Sequence, residues 1–130
     1  MYTVLLAIDT SNDRAIAQAT AVASLPEAAS NVKAVLLHVF DDNPEGASVN
    51  RLSSVRRAIG VLEDADVEYE LREASGEPAT EILQAAESVA ADAICVSGRQ
   101  RTPTGKALFG SVTQSVLLEA DRPVLNASID

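Results

Sequence analysis

The residues best suited to chemistry lie in a segment near the C-terminal end of the chain that contains no acid. Residues 93–118 form this segment, where an even distribution of the 19 acids over 130 residues would place about four. It carries three bases, Arg99, Arg101 and Lys106, and leads to Gly110-Ser111, which is typical of a helix start. A helix N-terminus presents free N–H groups and a partial positive charge to an anion. The pattern therefore predicts a phosphate site, and a glycine-containing connection that binds nothing is the alternative.

Acids that follow two apolar runs are the next candidates. Asp9 comes directly after residues 3–8, where its carboxylate suits either a ligand or the cap of a following helix. Asp41 and Asp42 follow residues 33–39, and aspartates there serve either a divalent ion on phosphates or the turn itself. The sequence leaves both interpretations open for each acid.

The single cysteine and the single histidine do not form a catalytic pair. Cys95 lies inside an apolar run, where an unactivated thiol behaves as a small hydrophobic side chain. His38 lies in another apolar run, and we interpret it as a packed or capping residue. One cysteine and one histidine exclude an internal disulfide, a structural zinc site and Cys/His catalysis.

The composition predicts one globular domain over residues 1–130. Hydrophobic residues make up 47% of the chain and charged residues 22%, with a net charge of −9. Such an acidic chain repels polyanions, which argues against nucleic acid or an anionic membrane as a partner. No apolar run approaches the ~18 residues that span a bilayer, and the start MYTVLLAIDT lacks the features of a signal peptide. We therefore expect a cytoplasmic protein.

Five apolar runs alternate with four helix-forming segments along the chain. The predicted strands are residues 3–8, 33–39, 67–72, 92–96 and 124–127. The predicted helices are residues 13–24, 49–62, 78–91 and a segment that begins at Gly110-Ser111. Strict alternation of strand and helix predicts an α/β fold in which helices cover both faces of a parallel sheet. The polar and apolar alternation of residues 67–72 places the third strand near a sheet edge.

This fold class limits where a ligand can bind. In an open parallel sheet, ligands bind beyond the carboxyl ends of the strands, at the point where the strand order reverses. Three predicted loops have that position, residues 9–13, 39–46 and 97–109. The last of them contains the bases of the acid-free segment.

Four sequence blocks, in order along nearly the whole chain, resemble the universal stress protein family. They are VLLAIDTS, LLHVF, GEPATEIL and SGRQRTPTGKALFGSVTQSVLLEADRPVL. The resemblance implies a Rossmann-like, three-layer α/β/α sandwich on a five-stranded parallel sheet with strand order 3-2-1-4-5. It also implies a homodimer that pairs through the C-terminal strand.

The nucleotide-binding branch of that family has a glycine pattern that this chain matches in part. In the pattern, two glycines separated by two residues precede, by nine residues, a third glycine followed by serine or threonine. Gly110-Ser111-Val112 match the last element. Ser97 and Gln100 stand at the positions of the two earlier glycines, with Gly98 displaced by one. The resemblance thus implies a phosphate cradle around these residues.

The same resemblance implies contacts for the rest of a nucleotide. Asp9 matches the acid that accepts hydrogen bonds from the nucleotide, and Ala7 falls where the chain passes the adenine. Val39 matches the residue whose backbone contacts the adenine edge. Where the chain departs from the glycine pattern, Arg99 or Arg101 can supply guanidinium contacts that other family members obtain from backbone N–H groups. The implied ligand is an adenine nucleotide, ATP first with ADP or AMP as alternatives, with or without magnesium.

These observations leave two functions open. The first is a universal stress protein that binds adenine nucleotide as a conformational or partner signal in a stress response. The second is a dimeric interaction module that binds no nucleotide, which Gln100 favours. No nucleophile–base pair accompanies the site, so any enzymatic activity amounts to slow hydrolysis of bound nucleotide. A third option, a flavodoxin-like electron carrier, is disfavoured, because residues 10–13 contain no glycine and aromatic residues make up only 3% of the chain. A colourless purified protein would exclude it.

The charge balance also predicts adaptation to high salt. Lys33 and Lys106 are the only lysines among the 10 bases, and an acidic, arginine-rich chain is typical of a halophilic archaeon. Solubility alone is the alternative explanation of the acid excess.

We expect the melting temperature to rise between low salt and molar KCl. The Debye length falls to ~3 Å near 1 M salt, which screens repulsion within a chain of net charge −9. Thermal unfolding followed by circular dichroism at increasing KCl concentration measures the effect. Equal stability without salt would contradict the halophilic interpretation.

Overall fold

The computed structural model describes residues 1–40, 48–98 and 110–127. The described chain forms five strands, five α-helices and one 3₁₀ turn. The strands are β1 (Tyr2–Ala7), β2 (Val32–Phe40), β3 (Glu68–Ser75), β4 (Ala93–Val96) and β5 (Val124–Asn126). The helices are α1 (Asn12–Ala23), α2 (Ala28–Asn31), α3 (Ser53–Asp64), α4 (Pro78–Ser88) and α5 (Ser111–Glu119), and the 3₁₀ turn is Val49–Arg51.

The five strands form one parallel sheet in the order β3-β2-β1-β4-β5. Strand β1 lies at its centre, with Ala7 opposite Leu37 of β2 and Leu6 opposite Cys95 of β4. The predicted fold class and strand order are confirmed. The third strand lies at an edge, as its alternating pattern predicts, and none of its residues is fully buried.

Helices cover both faces of the sheet, because successive side chains of a strand point to opposite faces. Val4 and Leu6 of β1 belong to the apolar cluster under α1 and α3. Leu5 belongs to the cluster under α4 and α5. All three side chains are 0% exposed, and full burial of each stabilises the fold by ~1.5–3 kcal/mol. Within the described part of the chain, no helix has the length and apolar character to cross a membrane.

Side chains fix the starts of two helices at the same end of the sheet. The hydroxyl of Ser11 accepts a hydrogen bond from the N–H of Arg14 and caps α1. Glu77 caps α4 in the same way, with Pro78 in the first helical turn. The hydroxyl and the N–H of Thr80 both donate to the Glu77 carboxylate and lower its pKa. Both helices therefore begin at positions fixed by local sequence.

Two short elements depart from the sequence prediction. Helix α2 has four residues and follows Glu27, whose φ of 57° is left-handed. The helix predicted over residues 49–62 divides into a 3₁₀ turn and α3, because Leu52 between them is extended. Segments of three or four residues are too short to give a periodic pattern, so the sequence does not predict them.

Arg122 joins the end of α4 to the segment before β5. Its side chain is 16% exposed and donates to the carbonyls of Ala86 and Ala91, at 3.0 and 2.8 Å. It also forms ion pairs with Glu87 at 2.8 Å and Asp121 at 3.0 Å. This guanidinium binds the main chain at the end of a helix, where carbonyls lack intrahelical partners.

Arg122→Ala should lower the free energy of unfolding by ~1.5–3 kcal/mol, because it removes hydrogen bonds from a charged donor to carbonyls. Denaturant unfolding measures the loss. Arg57→Ala is the control, because Arg57 is exposed and exposed substitutions usually change stability by less than ~0.5 kcal/mol. Equal effects of the two substitutions would contradict this role for Arg122.

Candidate functional site

A pocket of about 330 Å³ opens at the carboxyl ends of β1, β2 and β4. Its walls also include side chains from α1, α4 and the first turn of α5. The chain leaves β1 through α1 on one face of the sheet and enters β4 through α4 on the other face. In the order β3-β2-β1-β4-β5, the direction in which strands are added changes between β1 and β4. The pocket therefore lies where the strand order reverses, which is the position that the fold class predicts for a ligand.

Five residues that the sequence predicts for the site line this pocket: Ala7, Asp9, Val39, Ser97 and Val112. The other described candidates are adjacent to it in the chain. Gly98 follows Ser97, and its N–H donates to the Asn126 side chain at 2.8 Å. Gly110 and Ser111 precede Val112. Arg99, Gln100, Arg101, Lys106, Asp41 and Asp42 lie outside the described residues.

Asp9 projects from the end of β1 and is fixed by two contacts. Its Oδ1 accepts from the N–H of Ser11 at 2.9 Å, and its Oδ2 accepts from Nε of Arg14 at 2.8 Å. The helix-cap interpretation of Asp9 is wrong, because the cap of α1 is Ser11. Each carboxylate oxygen has a second lone pair, so Asp9 retains the capacity to accept from a ligand. Its side chain is 51% exposed.

The start of α5 supplies the positive end of a helix to the same pocket. Gly110 is its N-cap residue, with φ −69° and ψ 165°, and forms no side-chain cap. Val112 and Thr113, in the first turn, line the pocket. N–H groups in a first turn have no intrahelical acceptor, and they favour an anion. This end of the pocket therefore fits the chemistry of a phosphate.

Ser97 connects the ends of β4 and β5 beside the pocket. Its side chain is buried, and its hydroxyl donates to the carbonyl of Ala127 at 2.7 Å. Its carbonyl lies 3.4 Å from the hydroxyl of Thr113, which donates to it. The residue thus links the sheet to the first turn of α5.

Gln18 and His38 also line the pocket, and the sequence analysis did not assign them to it. Gln18 is 2% exposed, and its Nε2 donates to the carbonyl of Ala7 at 2.9 Å. A polar residue among the buried positions of α1 was the signal that could have identified it. His38 packs edge-to-face on Phe40 with ring centroids 4.6 Å apart, which confirms its interpretation as a packed residue.

Cys95 takes no part in the pocket. It is 0% exposed in the apolar core, and this burial raises the pKa of its thiol to about 12. The thiol is therefore protonated at neutral pH, which confirms its interpretation as a small hydrophobic side chain. Among the described residues, no group of three or more His, Cys, Asp or Glu side chains could hold a metal ion.

The fold and the site together define a class of α/β protein with a ligand pocket at the switch point of a parallel sheet. Comparison with known families identifies which one: residues 1–126 match the model of the universal stress protein family, and the chain belongs to that family.

One curated relative is a universal stress protein of Mycolicibacterium smegmatis, 45% identical over 65 residues. The match covers 49% of this chain and 50% of the relative, so it spans about half of that protein's length.

Solved structures of universal stress proteins share the fold over nearly the full chain. A universal stress protein of Archaeoglobus fulgidus is 27% identical with a TM-score of 0.76, and the match covers 97% of this chain and 98% of that one. A universal stress protein solved in complex with cAMP is 25% identical with a TM-score of 0.74, over 99% and 98% of the two chains. A family protein of Arabidopsis thaliana solved with AMP is 18% identical with a TM-score of 0.74, over 100% and 93%, and shows the shared fold alone.

Proposed function

We propose that this protein binds an adenine nucleotide in the pocket and uses it as a conformational or partner signal in a stress response. The observation that carries the proposal is the pairing of an acid, Asp9, with the uncapped start of α5 across one pocket. A nucleoside phosphate has hydroxyl donors for the acid and an anion for the helix. The structural neighbour solved with cAMP supports this ligand class.

The proposed arrangement places each part of the nucleotide against matching chemistry. The adenine lies on the apolar wall beside Ala7 and Val39, and the ribose donates to Asp9. The phosphates meet the N–H groups of Gly110-Ser111-Val112, flanked by Ser97-Gly98, with guanidinium contacts proposed for Arg99 and Arg101. A volume of about 330 Å³ lies at the lower end of the ~300–1,000 Å³ typical of ligand pockets. The apolar part of the wall includes Leu37, Ile82 and Val96.

Within this proposal the ligand is ATP, with ADP and AMP as competitors and magnesium as an optional companion of the phosphates. The proposal places the protein in the cytoplasm, without nucleic acid or membrane partners, and limits any enzymatic activity to slow hydrolysis of the bound nucleotide. We also propose that the protein is adapted to high salt, as its acid excess predicts.

Saturating nucleotide should raise the melting temperature in molar KCl. Ligand at a hundred times its dissociation constant adds roughly 2.7 kcal/mol of stability, or about 10 °C for a chain of this size. Thermal unfolding with ATP, ADP, AMP and adenosine, each with and without magnesium, measures the shift. Adenosine should give less than the nucleotides, because it lacks a group for the start of α5.

Gly110→Asp and Asp9→Ala should each abolish that shift while the fold stays intact. The first places a like charge against the phosphate, and the second removes the acceptor of the ribose. Matched controls are Gly60→Asp, where an added Cβ meets no atom within 4 Å, and Asp13→Ala, at an exposed acid of α1. A wild type that shows no shift with any nucleotide would favour the second function, a dimeric interaction module.

We also propose a homodimer that pairs through β5. This strand pairs with β4 alone among the described strands, so one of its edges has no partner there. An uncovered strand edge is an aggregation hazard that pairing with a second copy removes. The N–H groups of Ile94 and Ala127 bond across the β4–β5 pair, so the N–H of Val124 points to the open edge.

Light scattering should therefore give about twice 13.6 kDa for the wild type. Val124→Pro removes an N–H from the open edge and should yield a monomer. Ser75→Pro is the matched control, because it removes an outward N–H from β3 at the opposite edge of the sheet. A monomeric wild type, or a dimer that survives Val124→Pro, would contradict this interface.

A further inference from the structure

Buried polar side chains converge on the main chain where it leaves β1. The buried polar residues of the described chain are Gln18, His38, Ser54 and Ser97. The first three hydrogen-bond three consecutive carbonyls. Nε2 of Gln18 donates to Ala7 O at 2.9 Å, Nδ1 of His38 lies 2.7 Å from Ile8 O, and Oγ of Ser54 donates to Asp9 O at 2.6 Å.

These three side chains come from three different elements, α1, β2 and α3. A carbonyl oxygen only accepts, so each of the three must donate, and the imidazole carries its proton on Nδ1. The contact between Ile8 O and His38 thereby fixes the tautomer. Together they form a clamp, defined here as Gln18, His38 and Ser54 on the carbonyls of residues 7–9.

The clamp acts at the point where the strand ladder ends. The β1–β2 register stops at Ala7 opposite Leu37, and the N–H of Ile8 makes the last backbone bond to β2. The carbonyls of residues 7–9 bond to side chains instead. Residues 7–9 all line the pocket, whereas Ser54 does not. Ser54 therefore fixes a pocket wall from outside the pocket.

We propose that Gln18, His38 and Ser54 are positioning residues that hold residues 7–9, and with them the Asp9 carboxylate, in the geometry that binds ligand. This inference rests on the proposed nucleotide-binding function. A segment held in advance loses less conformational freedom when ligand binds, which strengthens binding without a direct contact. The alternative is that the clamp only stabilises the fold.

Ser54→Ala distinguishes a positioning role from a purely stabilising one, because Ser54 is 1% exposed and does not line the pocket. Val55→Ala is the matched control: Val55 is its neighbour in α3, 0% exposed in the apolar cluster and absent from the pocket wall. Calorimetric titration with AMP, at a temperature where all variants are folded, should show Ser54→Ala weakened about three- to tenfold. Val55→Ala should bind as the wild type does, although it melts at a lower temperature.

His38 allows rescue by a conservative variant. The amide nitrogen of asparagine stands as many bonds from the main chain as Nδ1, so His38→Asn keeps the donor to Ile8 O. His38→Leu removes it. We expect the asparagine variant to bind AMP more tightly than the leucine variant. Equal affinities of wild type, Ser54→Ala and His38→Leu would overturn the proposal, as would equal weakening by Ser54→Ala and Val55→Ala.

Amide hydrogen exchange without ligand provides a readout that does not depend on nucleotide binding. Loss of the clamp should speed exchange at residues 8–14 in Ser54→Ala and His38→Leu but not in Val55→Ala. If the wild type binds none of ATP, ADP and AMP, the proposed function fails, and faster exchange confined to these residues still supports the positioning role. Unchanged exchange in both variants overturns it.

Discussion

Hydrogen bonding of β1 along both of its edges is the constraint on which the rest of the structure depends. β1 pairs with β2 on one side and with β4 on the other, and Val4, Leu5 and Leu6 at its centre are inaccessible to solvent. A parallel strand in this position has both faces covered and needs an apolar residue at every central position. Helices α1 and α3 cover one face of the sheet, and α4 and α5 cover the other. The helices on the two faces separate at the carboxyl end of β1, so a crevice opens there.

The charge of the pocket differs from the charge of the whole chain. The net charge is −9, yet Asp9, the acid among the described residues that line the pocket, is paired with Arg14, and the start of α5 lies in a segment without acids. The Asp9–Arg14 pair is partly exposed and adds ~1 kcal/mol or less to stability. Its larger effect is local, because it fixes a carboxylate in the same pocket as the positive end of α5. In high salt the distant acids are screened, whereas contacts at hydrogen-bond distance persist.

Polar groups buried at the end of β1 have a structural reason for their presence. A buried carbonyl without a hydrogen bond costs ~1–3 kcal/mol. The β1–β4 register stops at Leu6 and the N–H of Ile8 makes the last backbone bond to β2, so the carbonyls of residues 7–9 bond to side chains. Gln18 interrupts the buried face of α1 and Ser54 that of α3, and both donate to these carbonyls. The two polar residues therefore complete the hydrogen bonding of the segment that forms the pocket wall.

The sequence by itself determined the fold class and the strands, because local hydrophobic periodicity indicates them directly. It also determined five of the residues that line the pocket, through strand ends, a helix start and the family motifs. Asp9 and Val112 were identified in this way, from a strand end and a helix start. It did not determine that Ser11 rather than Asp9 caps α1, nor that Gln18, His38 and Ser54 meet on one short segment. Those contacts join residues 11 to 45 positions apart in the chain. The pairing of β1 with β2 brings His38 to this segment, and the packing of α1 and α3 on one face of the sheet brings Gln18 and Ser54. A pattern of neighbouring residues does not report contacts between such distant positions.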